Sequence, residues 1–357
     1  MADENNPDAQ DMPARKRPRR LTLSHMAEEL GISTATVSLA LRDSPLVAKE
    51  TLAKVKEYAE KSGYIYNRSA ASLRTSRTNT VGVAVHDIQN PYFAEIFRSL
   101  ESELEKNRQT IFICNHRDSH ERQKNFVDAL MQHRADGLIL CPSVGTTVDD
   151  IETISAQGLP LTLISRDVPG STVSVVRGND YSGAKALTEH LIERGHRRIG
   201  FVGGRPGTTA WEERHRGWQD ALAHAGIDVG AMFDLNDLMT QADGRDAVPR
   251  LLARKPRPTA IFAFNDMVAL GLMSSLRRAG VAPGRDIAVA GYDDNDGSEA
   301  HVPALTSVWN APEQIGEKAA SLMLAQISGG DLGGERVLFE PELRVRESSM
   351  FAPASVR

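Results

Sequence analysis

Cysteine is scarce in this chain. Cys114 and Cys141 are the two it holds, without CxxC spacing or a ligand pair close by, so a disulfide framework or a zinc site gives way to small buried apolar residues of a reducing compartment. Long apolar runs are missing too, and no stretch approaches the roughly 20 residues that a membrane span needs. The opening residues, MADENNPDAQDMPARKRPRR, lack the apolar centre of a secretory signal, so export is not expected. Signatures of catalysis are equally thin. Gly203-Gly204-Arg205-Pro206-Gly207 follows a strand, but neither a P-loop Lys-Ser/Thr nor GxGxxG is present, and the stretch reads as a mobile loop. There is no GxSxG and no HExxH, and the histidines are scattered. Asp293 and Asp294 would point to opposite sides of an extended chain, which argues against a shared acid/base dyad. Neither an enzyme nor a bound cofactor is expected.

What is present is an ordinary globular composition, 41% apolar and 25% charged over 357 residues, with room for two or three domains. The net charge of −5 hides an asymmetry. From Arg15 to Arg77 thirteen Lys/Arg stand against six Asp/Glu, and everything else is acidic. A basic block on an acidic body is what a DNA-binding head requires, because phosphate neutralisation supplies most non-specific affinity.

The stretch Thr22 to Leu41 carries the strongest local pattern. Leu23, Met26, Ala27 and Leu30 recur at helical spacing, Gly31 can take a left-handed turn, and Ser33 stands as an N-cap before a second helical run from Ile32 to Leu41. Two short helices around such a turn form a helix-turn-helix. Asp43-Ser44-Pro45 then makes a loop, and Ala48 to Lys61 reads as a third helix with Thr51, Leu52, Val55, Tyr58 and Ala59 on one face. Residues 1–20 read as a disordered arm whose basic cluster either touches phosphates or is simply solvated.

From Asn79 onward apolar strands alternate with amphipathic helices. TVGVAVHD, TIFICNH, GLILCPS, PLTLIS and VSVVRG are strands, with helices Phe93 to Lys106, Glu121 to Arg134 and Asp149 to Gln157 between them. RIGFVGG, AIFAFND, IAVAGYDD and LTSVWN follow, separated by Trp211 to His224 and Met267 to Ala279, and Leu338 to Arg346 reads as the last strand. Such alternation makes parallel sheets covered on both faces, and two runs imply two lobes with ligands bound beyond the carboxyl ends of the strands.

The segment Gly63-Tyr64, Asn67-Arg68, Ala70-Ala71 and Leu73, placed after the three helices, resembles the hinge of the lactose-repressor (LacI/GalR) family of bacterial regulators. The likeness extends from about Leu21 to Ser348. It implies an all-α helix-turn-helix head joined to an α/β two-lobed, periplasmic-binding-protein-like core with parallel sheets. The implied domains are the arm 1–20, the head 21–66, the hinge 67–78, a first lobe of 79–177 with 311–339, and a second lobe of 178–310 with 340–357. In the family the hinge helix folds on the operator and a leucine enters the minor groove; here Asn67 and Arg68 would start that helix and Leu73 would be the wedge.

Candidate effector contacts gather at strand ends. Asp87 closes the first strand, and Asn90-Pro91 opens a helix with Tyr92 and Phe93, which the resemblance turns toward the effector. Ser165 and Arg166 end the fourth strand, with Ser165 where many sugar-responsive relatives carry aspartate. Arg214-His215-Arg216-Gly217-Trp218 matches the family's RxxG-aromatic signature; the Arg214 fork suits vicinal hydroxyls or a carboxylate, and Trp218 suits packing. Asp293 would complement Arg214, and Met239, Asn265 and Asn310 complete the set, whereas Asp266 and Asp294 fit helix caps better. On the head, Thr34, Ala35 and Leu39 are placed to meet base edges, and Thr22, Ser33, Thr36, Ser38 and Lys49 to meet phosphates. The expectation is a cytoplasmic, homodimeric repressor of a near-palindromic operator, controlled by a small effector, a sugar or sugar derivative. A sugar-binding transport receptor and an α/β enzyme are the alternatives.

Overall fold

The computed structural model describes residues 21–64, 77–228, 234–330 and 334–352. The chain divides into two compact units, Met1–Ser76 and Arg77–Arg357.

In the first unit, α1 (Leu23–Leu30), α2 (Thr34–Ala40) and α3 (Lys49–Ser62) enclose a small core of Met26, Ala27, Val37, Ala40 and Val55. Local chemistry fixes each boundary. Thr22 Oγ1 accepts from the His25 amide and Ser33 Oγ from the Thr36 amide, satisfying first-turn donors that the helices leave open. Gly31 ends α1 at φ 63°, a conformation that costs a residue with a Cβ about 1 kcal/mol. Predicted helices, turn and cap agree with the structure here. Residues 1–20 and the hinge residues Asn67, Arg68 and Leu73 lie outside the described residues.

The second unit holds two parallel sheets. Strands β1 (Thr80–Val85), β2 (Thr110–Asn115), β3 (Gly137–Leu140), β4 (Leu161–Ile164), β5 (Ser174–Gly178) and a late strand, β11 (Arg336–Phe339), form the first in the order β11-β5-β4-β3-β1-β2. Its faces are covered by α4 (Pro91–Lys106), α5 (His120–Gln132), α6 (Val148–Ala156) and α12 (Pro312–Ile327). After β5 come α7 (Asp180–Glu193), β6 (Ile199–Val202), α8 (Thr209–His224), β7 (Asp234–Leu235), α9 (Gln241–Leu252), β8 (Ala260–Ala263), α10 (Asp266–Arg278) and β9 (Ala288–Ala290). The second sheet runs β7-β6-β8-β9. It is extended by bridges from β9 and Asp293 to the segment of β10 (Ser307–Trp309), which pairs antiparallel with β12 (Glu342–Arg344); the five-residue helix α11 (Asp296–Ala300) lies between β9 and β10.

Two expectations need correction. Leu338 to Arg346 is not one strand: β11 pairs in parallel with β5 of the first sheet and β12 antiparallel with β10 beside the second, with Glu340-Pro341 between them. Pro341 has no amide to donate, so the ladder breaks there and the chain changes lobes. Asp266 and Asp294 are not caps. Asn265 caps α10 by accepting from the Val268 amide, leaving Asp266 buried with the Ser298 and Ser307 hydroxyls and the Asn295 amide donating to it. Asp294 is clamped by Arg344 and Arg346, each at 2.6 Å. Helices α7, α9 and α12 are additions to the predicted set, although Asn179, the Thr240–Asp243 capping box and Pro312 mark their starts. In α9, Gly244 and Pro249 read as breakers, yet a Cβ at Gly244 would sit 2.3 Å from the Val268 carbonyl. Close packing of α9 on α10 outweighs helix propensity there.

A cleft between two lobes and a helix-turn-helix surface

Strand ends of the two sheets face each other across one cleft. Its wall takes His86, Asn90, Tyr92, Phe93, Ser165 and Arg166 from the first lobe and Ala210, Arg214, Met239, Phe264, Asn265 and Asp293 from the second. The cavity between the two walls measures about 30 Å³, room for about one water and too small as it stands for a sugar.

Arg214 is the centre of the second wall. Its Nε donates to Asp180 Oδ1 at 2.8 Å, one terminal nitrogen donates to the Phe264 carbonyl at 2.6 Å, and the other lies 3.7 Å from Asp293. The guanidinium also lies over the rings of Tyr292, at 3.6 Å, and Phe264, at 4.6 Å. Burial disfavours its charge, but Asp180, Asp293 and Tyr292 outweigh this and its pKa moves up. Asp293 stands at φ 101° and accepts from Asn90 Nδ2 at 2.9 Å. Burial pushes its carboxyl up to about 6 against the pull of Arg214.

On the first wall, Ser165 sits at φ 59° and shares a hydrogen bond with the Tyr92 hydroxyl at 3.3 Å. Left-handed backbone at a residue other than glycine is stored strain, here directly at the cleft. Arg166 forks onto Asp118 at 2.5 and 3.3 Å and also donates to the Pro142 carbonyl. Burial alone would raise Asp118; Arg166 and its neighbours take it down to about 2. Arg205 of the second lobe approaches the same carboxylate at 3.9 Å, and the Asp167 amide donates across to Thr209 Oγ1 at 2.8 Å.

Eight of the ten expected effector residues therefore line one cavity. Asp87 does not: its carboxylate accepts from the Gln89 amide and shapes the turn into α4. Asn310 does not either, lying against Asp180 at 3.5 Å beside Gly178 at the end of β5. Sequence reasoning missed His86, Ala210 and Phe264 as lining residues, and took Asn90 only for a helix start. A nonpolar or backbone-directed role leaves no sequence signal; for Asn90 the cap was the signal, since its Oδ1 accepts from the Tyr92 amide while its Nδ2 remains to bridge the lobes.

On the head, Thr22, Ser33, Thr34, Ala35 and Lys49 are exposed, whereas Thr36, Ser38 and Leu39 are half-buried. The Thr22 and Ser33 oxygens are the caps described above, and Ser33 Oγ also shares a hydrogen bond with Thr36 Oγ1 at 2.8 Å.

Residues 188–349 match the family described as periplasmic binding protein-like domain. The HTH-type transcriptional repressor PurR of Haemophilus influenzae strain PittEE is 30% identical over 331 residues, covering 92% of this chain and 98% of that repressor. The chain belongs to the LacI family of transcriptional repressors. Solved structures agree with that membership. The transcriptional regulator CelR in complex with cellobiose is 30% identical, with a TM-score of 0.69 over 92% of this chain and 100% of CelR. The lac repressor dimer bound to operator and the anti-inducer ONPF shares the fold at a TM-score of 0.81, over 93% of this chain and 99% of its own, with 24% identity. A LacI family regulator of Enterococcus faecium with bound ribose is 27% identical, TM-score 0.68, over 78% of this chain and 100% of its own. As a LacI-family repressor this chain is a DNA-binding regulator rather than an enzyme. Among its described residues no helix is long and apolar enough to cross a membrane.

Proposed function

We propose that this repressor is released from, or fixed on, its operator by a carbohydrate bound between Tyr92, Phe93 and Phe264 on the apolar side and Arg214, Asp293 and Asn90 on the polar side. The observation that carries the reading is the convergence of an arginine fork and a buried carboxylate beside aromatic rings, which suits a ring bearing hydroxyl groups. The complexes of relatives with cellobiose and ribose support it. A ligand that prefers one degree of lobe closure shifts the equilibrium, and the head's affinity for DNA follows. The head reads DNA through Thr34, Ala35 and Leu39, with Thr22, Ser33, Thr36, Ser38 and Lys49 on phosphates and Asn67, Arg68 and Leu73 in the hinge. The protein works in the cytoplasm.

The repressor acts as a homodimer on a near-palindromic operator, the second copy seated on the open edge of the first sheet. There, among the described residues, β2 has no neighbour on one side, and Ile88, Phe97, Ile111 and Ile113 line a groove of about 650 Å³ with α4. Ile113 and Phe112 are 52% and 43% exposed, an unusual load for an unprotected edge strand.

Thermal-shift screening of the full chain against mono- and oligosaccharides tests the effector site. A shift that disappears in Arg214→Ala supports it; an unchanged shift in that variant removes the cleft from the account.

A further inference from the structure

The two rims of the cleft are closed by different chemistry. One rim holds ion pairs, Arg166 and Arg205 on Asp118. The other is closed by Asn90, the cap of α4, which donates to Asp293 at 2.9 Å and accepts from Asn295 Nδ2 at 3.3 Å. Carboxylates from both lobes stand beside this second rim: Glu95 follows Asn90 within the first turns of α4, Asp296 follows Asn295 at the start of α11, and the bond between the two asparagines brings these helix starts together. The nearby cation, Arg98, is committed to an ion pair with Glu313 of α12. Asp293 itself faces Arg214 of α8 and Tyr92 of α4, with Asp180 of α7 and Asp266 of α10 as further acids around it. One guanidinium thus serves Asp180 and Asp293 together. Closing the lobes presses like charges against one another at low dielectric.

We propose that closure of the two lobes takes up protons at the Asn90 rim, so that acidification favours the closed cleft. The proposal rests on the reading of the cleft as an opening and closing site. The direction agrees with the closed-state chemistry. Burial, then Asp296, hold Glu95 up at about 7, and burial holds Asp293 up at about 6. Once the lobes part and water reaches both, they return toward the ordinary 4.5 and 3.8. A group whose pKa is raised in one state favours that state at low pH and loses the advantage as pH rises through the raised value. Closure therefore weakens between about pH 4 and 7 and is level above.

Hydrogen-deuterium exchange on the full chain at pH 5.5 and 8, each rate divided by its intrinsic chemical rate, tests this directly. The expected result is several-fold greater protection of residues 88–96 and 291–298 at the lower pH, with α10 unchanged. Glu95→Gln should diminish the difference between the two pH values without abolishing it, since Asp293 still titrates, and Asp296→Asn should diminish it by less, since burial of Glu95 remains; far-UV circular dichroism establishes that each variant is folded, and either one suffices. Equal protection at the two pH values in the natural sequence, or an undiminished pH response in a folded variant, overturns the proposal. A cleft that responds to pH but to no sugar leaves the proposal standing and removes only the carbohydrate reading.

Discussion

Arg214 donates from Nε to Asp180 at 2.8 Å while another edge of the same guanidinium lies 3.7 Å from Asp293. One buried cation thus ties α7, α8 and the end of β9 into a single wall. Breaking a buried pair from one side costs about 3–5 kcal/mol, because the remaining charges stay desolvated. Arg214→Ala should therefore lower stability by about that amount in urea unfolding as well as removing effector response. Arg214→Lys retains charge without the fork, and should recover part of the stability and little of the response.

The Arg166–Asp118 pair makes a prediction about acid. Asp118 is held at about 2 against an ordinary 3.8, so its contribution to stability is complete above about pH 4 and drains away as pH falls toward 2. Asp118→Asn should be less stable at pH 7, and its loss of stability between pH 4 and 2 should be shallower than that of the natural protein. Parallel acid limbs for the two proteins in a pH series of thermal melts would count against the pair.

On the head, Ser33→Ala removes the cap on α2 and should cost about 1 kcal/mol, read as weaker DNA binding because the recognition helix frays. Lys49→Ala should weaken binding to all sequences alike and reduce the slope of log affinity against log salt by about 1. Leu39→Ala should instead change which sequences a random-library selection enriches. A selection outcome identical to that of the natural protein would show that Leu39 does not read bases.

The sheet edge predicts the assembly. Ile113→Asp places a charge on the exposed apolar edge strand, and sedimentation velocity should show a dimer for the natural chain and a monomer for the variant. A dimer that survives the change would place the second copy elsewhere.

Much of this architecture was legible from periodicity. The Leu23, Met26 and Leu30 spacing with Gly31 and Ser33 identified the helix-turn-helix, and the βα alternation identified the parallel sheets. Helix α9 was hidden because its breakers, Gly244 and Pro249, serve packing and a late turn rather than termination. The break at Pro341 was hidden because one run of apolar alternation spans two sheets. Among the site residues, Asp293 could be named from its place after a strand, whereas Arg214, inside α8, and Tyr92, in the first turn of α4, were named from the family resemblance. His86 and Phe264 could not be named, since a ring at a strand end resembles any core residue until the opposite lobe is in place. Asp266 looked like a cap because it opens a helix; Asn265 before it takes that bond, so the carboxyl turns inward and burial lifts it to about 8.

The most direct measurement is fluorescence anisotropy of the full chain on DNA from upstream of its own gene, titrated with the carbohydrate that gives the largest thermal shift. The account predicts tight, salt-sensitive binding whose affinity changes at least tenfold with that sugar, and no change in Arg214→Ala. Binding that ignores every sugar able to stabilise the protein would contradict it.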